Sequence, residues 1–216
     1  MLISHTKKFI FIKTTKTAGT SVEVLLQKYC VPQGFSFPPD PFDQIVTDAG
    51  VVGGRGPNPE TRNTWFAHMT ASEIKTLVSP EIWDGYTKIC NIRNPWDKTV
   101  SFFHFNNRSV SSLPKAEIIA KFRDFMRNSN RNGRDTHIYF IDGAPVADVY
   151  LRHERLTDDF NQLCEKLDLQ TEDLPRLKGQ FRDKEKLHYR DYYDDELRDM
   201  VATVYASEIK AFGWEF

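Results

Sequence analysis

A lysine and three hydroxyl residues crowd one short turn, Lys16-Thr17-Ala18-Gly19-Thr20-Ser21, set between the apolar run Phe9-Ile10-Phe11-Ile12 and the start of a helical pattern. Backbone N–H groups at a helix start have no intrahelical partner and lie at the positive end of the helix dipole, so they attract an anion. Gly19 lets the backbone approach such a ligand, Lys16 adds a charge, and Thr17, Thr20 and Ser21 add hydroxyl donors. The chemistry expected here is the holding of a phosphorylated molecule. The nucleoside-triphosphate loop G-x-x-x-x-G-K-[ST] is a poor match, because Lys16 precedes Gly19 and no glycine stands between Phe9 and Lys16. A magnesium-dependent kinase or nucleotidase that shares the strand, turn and helix logic is the rival reading. A second rival is a non-catalytic protein that binds a nucleotide or glycan.

A second constellation lies further along. Tyr86 to Ile92 reads as a buried strand and is followed by Arg93-Asn94-Pro95-Trp96-Asp97-Lys98-Thr99-Val100-Ser101. Pro95 suits a first helical turn, and Trp96, Val100 and Phe103 make an apolar stripe at helical spacing. Arg93 then leaves the end of a strand and Ser101 lies two turns into the next helix. A guanidinium forks onto phosphate oxygens and a serine hydroxyl donates to them, so both suit an oxyanion.

The two segments together resemble the PAPS-dependent sulfotransferase family. Thr15 to Ser21 is similar to the phosphosulfate loop P-K-T-G-G-T-S of its carbohydrate-modifying, Golgi-type branch, with Thr15 in place of proline and Ala18 in place of the first glycine. Arg93, Asn94, Pro95, Lys98 and Ser101 match the 3′-phosphate motif R-[DN]-P-x-x-[RK]-x-x-S. Asp148 to Phe160, and the tail from Tyr189 to Leu197 with Phe212 to Phe216, are similar to the family's later strand, helices and aromatic terminus. The basic loop from Lys178 to Lys186 falls where relatives contact the nucleotide, which makes Lys178 and Arg182 further candidates. The resemblance implies an α/β fold, one domain over residues 1–216 with a mostly parallel central sheet flanked by helices, the nucleotide-kinase-like fold of the sulfotransferases. It also implies a nucleotide site made of Lys16, Thr17, Ala18, Gly19, Thr20, Ser21, Arg93 and Ser101.

Those groups need elements to position them. Strands are expected at Lys8 to Ile12, Thr64 to Ala67, Tyr86 to Ile92 and Asp148 to Arg152. Helices are expected at Thr20 to Tyr29, Ala71 to Val78, Trp96 to Asn107, Lys115 to Asn128, Thr157 to Leu167 and Asp194 to Phe212. The alternation favours parallel strands with anions at their carboxyl ends. Val31 to Asn63, rich in proline and glycine, reads either as a lid over the acceptor or as disorder. Asn128 to Gly143, with Arg131, Arg134 and His137, reads as a solvated connection.

The 216 residues are 40% hydrophobic and carry a formal charge of −1, which suits a globular protein and gives no overall attraction to nucleic acid or an anionic membrane. The apolar run before Lys13 is too short for a signal-peptide core or membrane span, so a cytoplasmic location is expected. Cys30, Cys90 and Cys164 sit in apolar contexts and read as core thiols.

The reaction implied by the resemblance moves a sulfuryl group from PAPS to a hydroxyl acceptor, a carbohydrate or glycolipid. It requires removal of the acceptor proton, neutralisation of charge on the leaving phosphate and in-line positioning. Lys16 is assigned to the leaving group. His68, at the end of the expected Thr64 to Ala67 strand and before a helix capped by Thr70 or Ser72, is assigned as general base. His104 and Glu60 are its competitors, His104 with aromatic neighbours that favour a core role. No metal is expected.

Overall fold

The computed structural model describes residues 1–39, 42–56, 59–128, 133–175, 177 and 187–216. The chain divides into two compact units, Met1–Ile92 with His137–Pro175, and Arg93–Thr136 with Arg176–Phe216.

The first unit carries a six-stranded sheet. Its strands are β1 (Leu2–Ser4), β2 (Phe9–Ile12), β3 (Ile45–Thr47), β4 (Gly50–Val52), β5 (Thr87–Ile92) and, after a small hairpin of β6 (Phe140–Ile141) and β7 (Ala144–Pro145), β8 (Val149–Arg152). The order is β3-β4-β1-β2-β5-β8. β2, β5 and β8 are parallel, with Ile12 opposite Cys90 and Ile92 opposite Arg152, so their carboxyl ends share one edge. β1, β4 and β3 extend this core by antiparallel pairing, which makes the sheet mixed where the sequence suggests a mostly parallel one. β2 and β5 are buried on both faces, as continuous apolar runs in a parallel sheet require. Phe9, Phe11 and Ile89 pack with Val22 and Leu26 of the Gly19–Leu26 helix and with Phe160 and Leu163 of the Leu156–Lys166 helix.

The antiparallel extension comes from the proline- and glycine-rich stretch after Val31. β3 and β4 form a hairpin inside it, so that part of the expected lid belongs to the sheet. Gly50 makes this possible: its φ is 151°, and a β-carbon there would overlap the Ile3 carbonyl oxygen. Thr64 to Ala67 is not a strand. Phe66 makes one isolated parallel bridge to Gly54, with Gly54 N–H donating to Trp65 O at 2.9 Å and Ala67 N–H to Gly54 O at 2.9 Å. The Asn63 side chain fills the space beside Gly54, donating to Phe42 O at 3.0 Å, and the bridge stays single because the Pro59–Arg62 helix ends shortly before it and a turn at Ala67 and His68 follows at once.

The second unit is helical. The Pro95–Asn106, Lys115–Asn128 and Asp195–Val204 helices bury Trp96, Val100, Phe103, Phe122, Leu197 and Val201 around Tyr192 and Tyr205. Tyr192 is thus a core residue. The single helix expected from Asp194 to Phe212 is broken at Tyr205 into Asp195–Val204 and Ala206–Phe212. All three cysteines are buried free thiols. No helix among the described residues is long and apolar enough to cross a membrane.

Gly54→Ala is expected to destabilise the protein by about 1–3 kcal/mol, because the added carbon meets Asn63 and the Phe42 carbonyl. Urea denaturation checks this, and an unchanged midpoint would show that the Gly54–Phe66 contact yields freely.

Candidate active site

The phosphate-type loop begins where β2 ends. Lys16 and Ala18 both adopt left-handed backbone, with φ of 58° and 63°. Ala18 is the N-cap of the Gly19–Leu26 helix and makes no side-chain capping bond, and the first helical turn has no acidic residue. The helix therefore starts with its dipole uncompensated by side chains, the arrangement that favours an anion. Ala18 replaces the first glycine of the resembled motif, and here a residue with a β-carbon is held in a conformation that costs about 1–2 kcal/mol. Gly19 closes the turn; a β-carbon there would press on Lys13 Cγ at 3.2 Å.

The side chains of the loop divide by burial. Lys16, Thr15 and Thr20 are half-buried, whereas Thr17 and Ser21 are enclosed. Thr14 Oγ1 donates to Asn91 O at 2.6 Å, so the 2.8 Å contact between the Thr14 and Thr17 hydroxyls has Thr17 as donor. Asn91 Nδ2 donates back to Thr17 O at 3.2 Å. The hydroxyl proton of Thr17 is therefore spent inside the protein, and its backbone N–H is the group left to address a ligand.

Beneath the loop lies an ion cluster that sequence reasoning missed. Glu23, fully buried, meets Lys13 Nζ at 2.5 Å and Arg55 Nη2 at 2.8 Å, and Arg55 also donates to Gln27 Oε1 at 3.0 Å. Burial alone would raise the Glu23 carboxyl, but the surrounding cations, Lys13 foremost, hold it below the usual carboxylate range. The only hint in the sequence is a glutamate among Val22, Val24, Leu25 and Leu26.

His68 stands at the turn between the Phe66 bridge and the Ala71–Leu77 helix, which is capped by Thr70: Thr70 Oγ1 accepts from Glu73 N–H at 3.2 Å, and Glu73 Oε2 accepts from Thr70 N–H at 2.7 Å. His68 Nδ1 lies 3.0 Å from Lys13 O. A carbonyl only accepts, so Nδ1 carries the proton and Nε2 keeps its lone pair. The residue is exposed at the surface, yet its ring stands against enough protein to lose part of its hydration. That desolvation, followed by the charge of Lys13, pushes the imidazole down to about 4. The structure thus brings His68 to the strand that precedes the loop.

In the second unit, Asn94 Oδ1 caps the Pro95–Asn106 helix by accepting from Trp96 N–H at 3.1 Å and Asp97 N–H at 3.3 Å. Asn94 Nδ2 donates to Glu215 O at 2.8 Å. Arg93, enclosed, gives Nε and Nη2 to Asp97 Oδ2, each at 2.8 Å. Asp97 is a further missed residue, although its spacing of four from Arg93 is readable. Ser101 stands four residues beyond Asp97 on the same helix face, half-buried. Lys98 is buried in an ion pair with Asp135, which gives this motif lysine an internal role. His104 is buried, with Nε2 2.8 Å from the Tyr192 hydroxyl, and belongs to the core. Glu60 is exposed on the short Pro59–Arg62 helix. Lys178 and Arg182 lie outside the described residues.

Residues 1–215 match the model of the sulfotransferase family. The chain belongs to that family, whose enzymes are PAPS-dependent. Comparison with curated protein sequences gives no match. Among solved structures, the chain is similar to mouse sulfotransferase SULT7A1 complexed with PAP, at TM-score 0.50 and 12% identity over 98% of this chain and 87% of that one. That likeness shows the fold, α/β with a mixed sheet around a parallel core.

Ala18→Gly is expected to raise stability by about 0.5–1 kcal/mol, the left-handed strain relieved less the entropy added to the unfolded chain. A rise in urea midpoint checks it. A fall would mean that the Ala18 methyl packs well enough to outweigh its strain.

Proposed function

We propose that this chain transfers a sulfuryl group from PAPS to a hydroxyl, with a carbohydrate or glycolipid as acceptor. The reading rests chiefly on one observation, the doubly left-handed Lys16–Ala18 turn that opens a helix without a side-chain cap at the carboxyl end of β2. Residues 1–216 are read as one sulfotransferase domain. The carbohydrate assignment is supported by the likeness of Thr15 to Ser21 to the loop of the carbohydrate-modifying branch.

In this reading the loop amides of residues 17–20 and Lys16 take the 5′-phosphosulfate, with Thr20 and Ser21 adding hydroxyls. Arg93 and Ser101 take the 3′-phosphate, and Asp97 sets the angle of the Arg93 fork. His68 Nε2 accepts the proton of the acceptor hydroxyl. The acceptor oxygen bonds to sulfur as the bond from sulfur to the phosphate oxygen breaks, and the electron pair stays on that oxygen beside the Lys16 ammonium. PAP leaves, and the proton remains on His68 until solvent removes it. A sulfuryl group carries less negative charge than a phosphoryl group, so a lysine suffices where a kinase uses magnesium. The hydrogen bond from Nδ1 to the Lys13 carbonyl supports the base assignment, since it holds the ring in the tautomer with Nε2 open.

Calorimetric titration with PAP, with magnesium and ATP as the control, tests the donor assignment. The expected result is selective PAP binding that Arg93→Ala weakens by about tenfold or more. Preference for magnesium and ATP would overturn the assignment.

The pH dependence tests the base. Because the His68 pKa is lowered, the neutral ring is present above about 4 and is lost as pH falls through that value. Turnover at saturating substrates is therefore expected to be flat from about pH 6 to 8 and to fall on the acid side, and His68→Ala should remove most of it. Near-wild-type turnover in His68→Ala would reject the assignment.

A further inference from the structure

The hydrogen bonds at the base of the loop close into a ring. Thr17 gives its hydroxyl proton to Thr14 at 2.8 Å, Thr14 gives its own to the Asn91 carbonyl at 2.6 Å, and the Asn91 amide returns to the Thr17 carbonyl at 3.2 Å. Thr14, Thr17 and Asn91 are 2%, 1% and 0% exposed, so water does not compete for these bonds. The ring ties Thr14 and Thr17 to the neighbouring strand; it closes around left-handed Lys16 and, through the Thr17 carbonyl, holds the peptide that leads into left-handed Ala18. It also comes at a cost. Asn91 Oδ1 is buried with no hydrogen-bond partner, and an apolar residue would suit the Ile89-Cys90-Asn91-Ile92 strand better. A buried amide kept at such a cost within a strand points to a task that a leucine or valine would not perform.

We propose that Asn91 is a positioning residue for the phosphosulfate loop. Together with Thr14 it holds Lys16 and Ala18 in left-handed backbone before any nucleotide arrives. The inference rests on the donor reading above for what the loop binds, and on the ring alone for how the loop is held. The sequence gives the reason such a device is needed. Where the resembled motif has proline and glycine, residues that set this turn through their own backbone preferences, this chain has Thr15 and Ala18. Conformation supplied there by residue type is supplied here by hydrogen bonds to β5. Asn91 does not touch the reacting atoms in this account; it acts through the Thr17 carbonyl.

The test uses the whole protein and two near-isosteric variants, Asn91→Leu and Thr14→Val, separately and combined. Hydrogen exchange in the ligand-free protein reads the loop directly. The expected result is faster exchange of the amides of residues 15–20 in each variant, with the β2 and β5 amides as in wild type. Calorimetry should then show PAP affinity reduced by about tenfold in Asn91→Leu, the scale of one or two buried hydrogen bonds. Because both residues belong to one ring, the double variant should lose little more than either single one. Turnover should follow the same pattern, with KM for the donor rising more than kcat falls. A purely structural role would instead lower the melting temperature and leave loop exchange relative to the strands, and PAP affinity, unchanged; that result overturns the proposal. Additive losses would also overturn it, since they deny the ring. If wild type itself fails to bind PAP, the donor reading falls, and the exchange data still decide whether Asn91 holds the loop. Should Asn91→Leu fail to fold, Thr14→Val carries the same exchange and affinity predictions.

Discussion

The structure depends on one backbone constraint: the chain leaving β2 must turn through two left-handed residues within three positions and start a helix at once. That turn decides where the free amides of the helix start and the Lys16 ammonium lie. Left-handed backbone is unfavourable for residues with a β-carbon, so surrounding contacts must over-determine it. Buried hydrogen bonds to Asn91 on one side and the packing of Gly19 against Lys13 on the other do this. The parallel pairing of β2 with β5 then has a purpose beyond sheet formation, because it places Asn91 beside the turn it holds.

Electrostatics follow from the same geometry. An anion site needs positive charge, yet a loop loaded with unpaired cations would repel itself when empty. Glu23 offsets Lys13 and Arg55 below the loop. Lys13 serves twice: its ammonium pairs with Glu23 and helps keep His68 neutral, while its carbonyl fixes the His68 tautomer. Removing one member of a buried cluster of this kind exposes the desolvation of the others, which ties the stability of the sheet edge to the chemistry proposed for it.

Much of this was legible in the sequence, for physical reasons. The turns after Ile12 and Ile92 show themselves because a strand pattern breaks into residues that start helices, and Pro95 and Gly19 mark the starts. The Thr70 cap and the core place of His104 follow from local neighbours in the same way. What stayed hidden depends on partners distant in sequence. Asn91 looks like a stray polar residue until β5 lies beside β2, and Glu23 looks like a solvated helix position until Lys13 and Arg55 close over it. The β3–β4 hairpin escapes because its strands are short and sit among prolines and glycines. Thr64 to Ala67 misleads because its strand-like composition stops at one bridge, confined between the Pro59–Arg62 helix and the turn at Ala67 and His68.

The most direct test of the account is release of PAP from radiosulfur-labelled PAPS in the presence of a panel of glycan and glycolipid acceptors, with wild type and Lys16→Ala in parallel. The account predicts acceptor-dependent PAP release with label appearing on a glycan, and loss of most of that release in Lys16→Ala. Release that is equal in the two proteins, or label that reaches no hydroxyl acceptor, would contradict it.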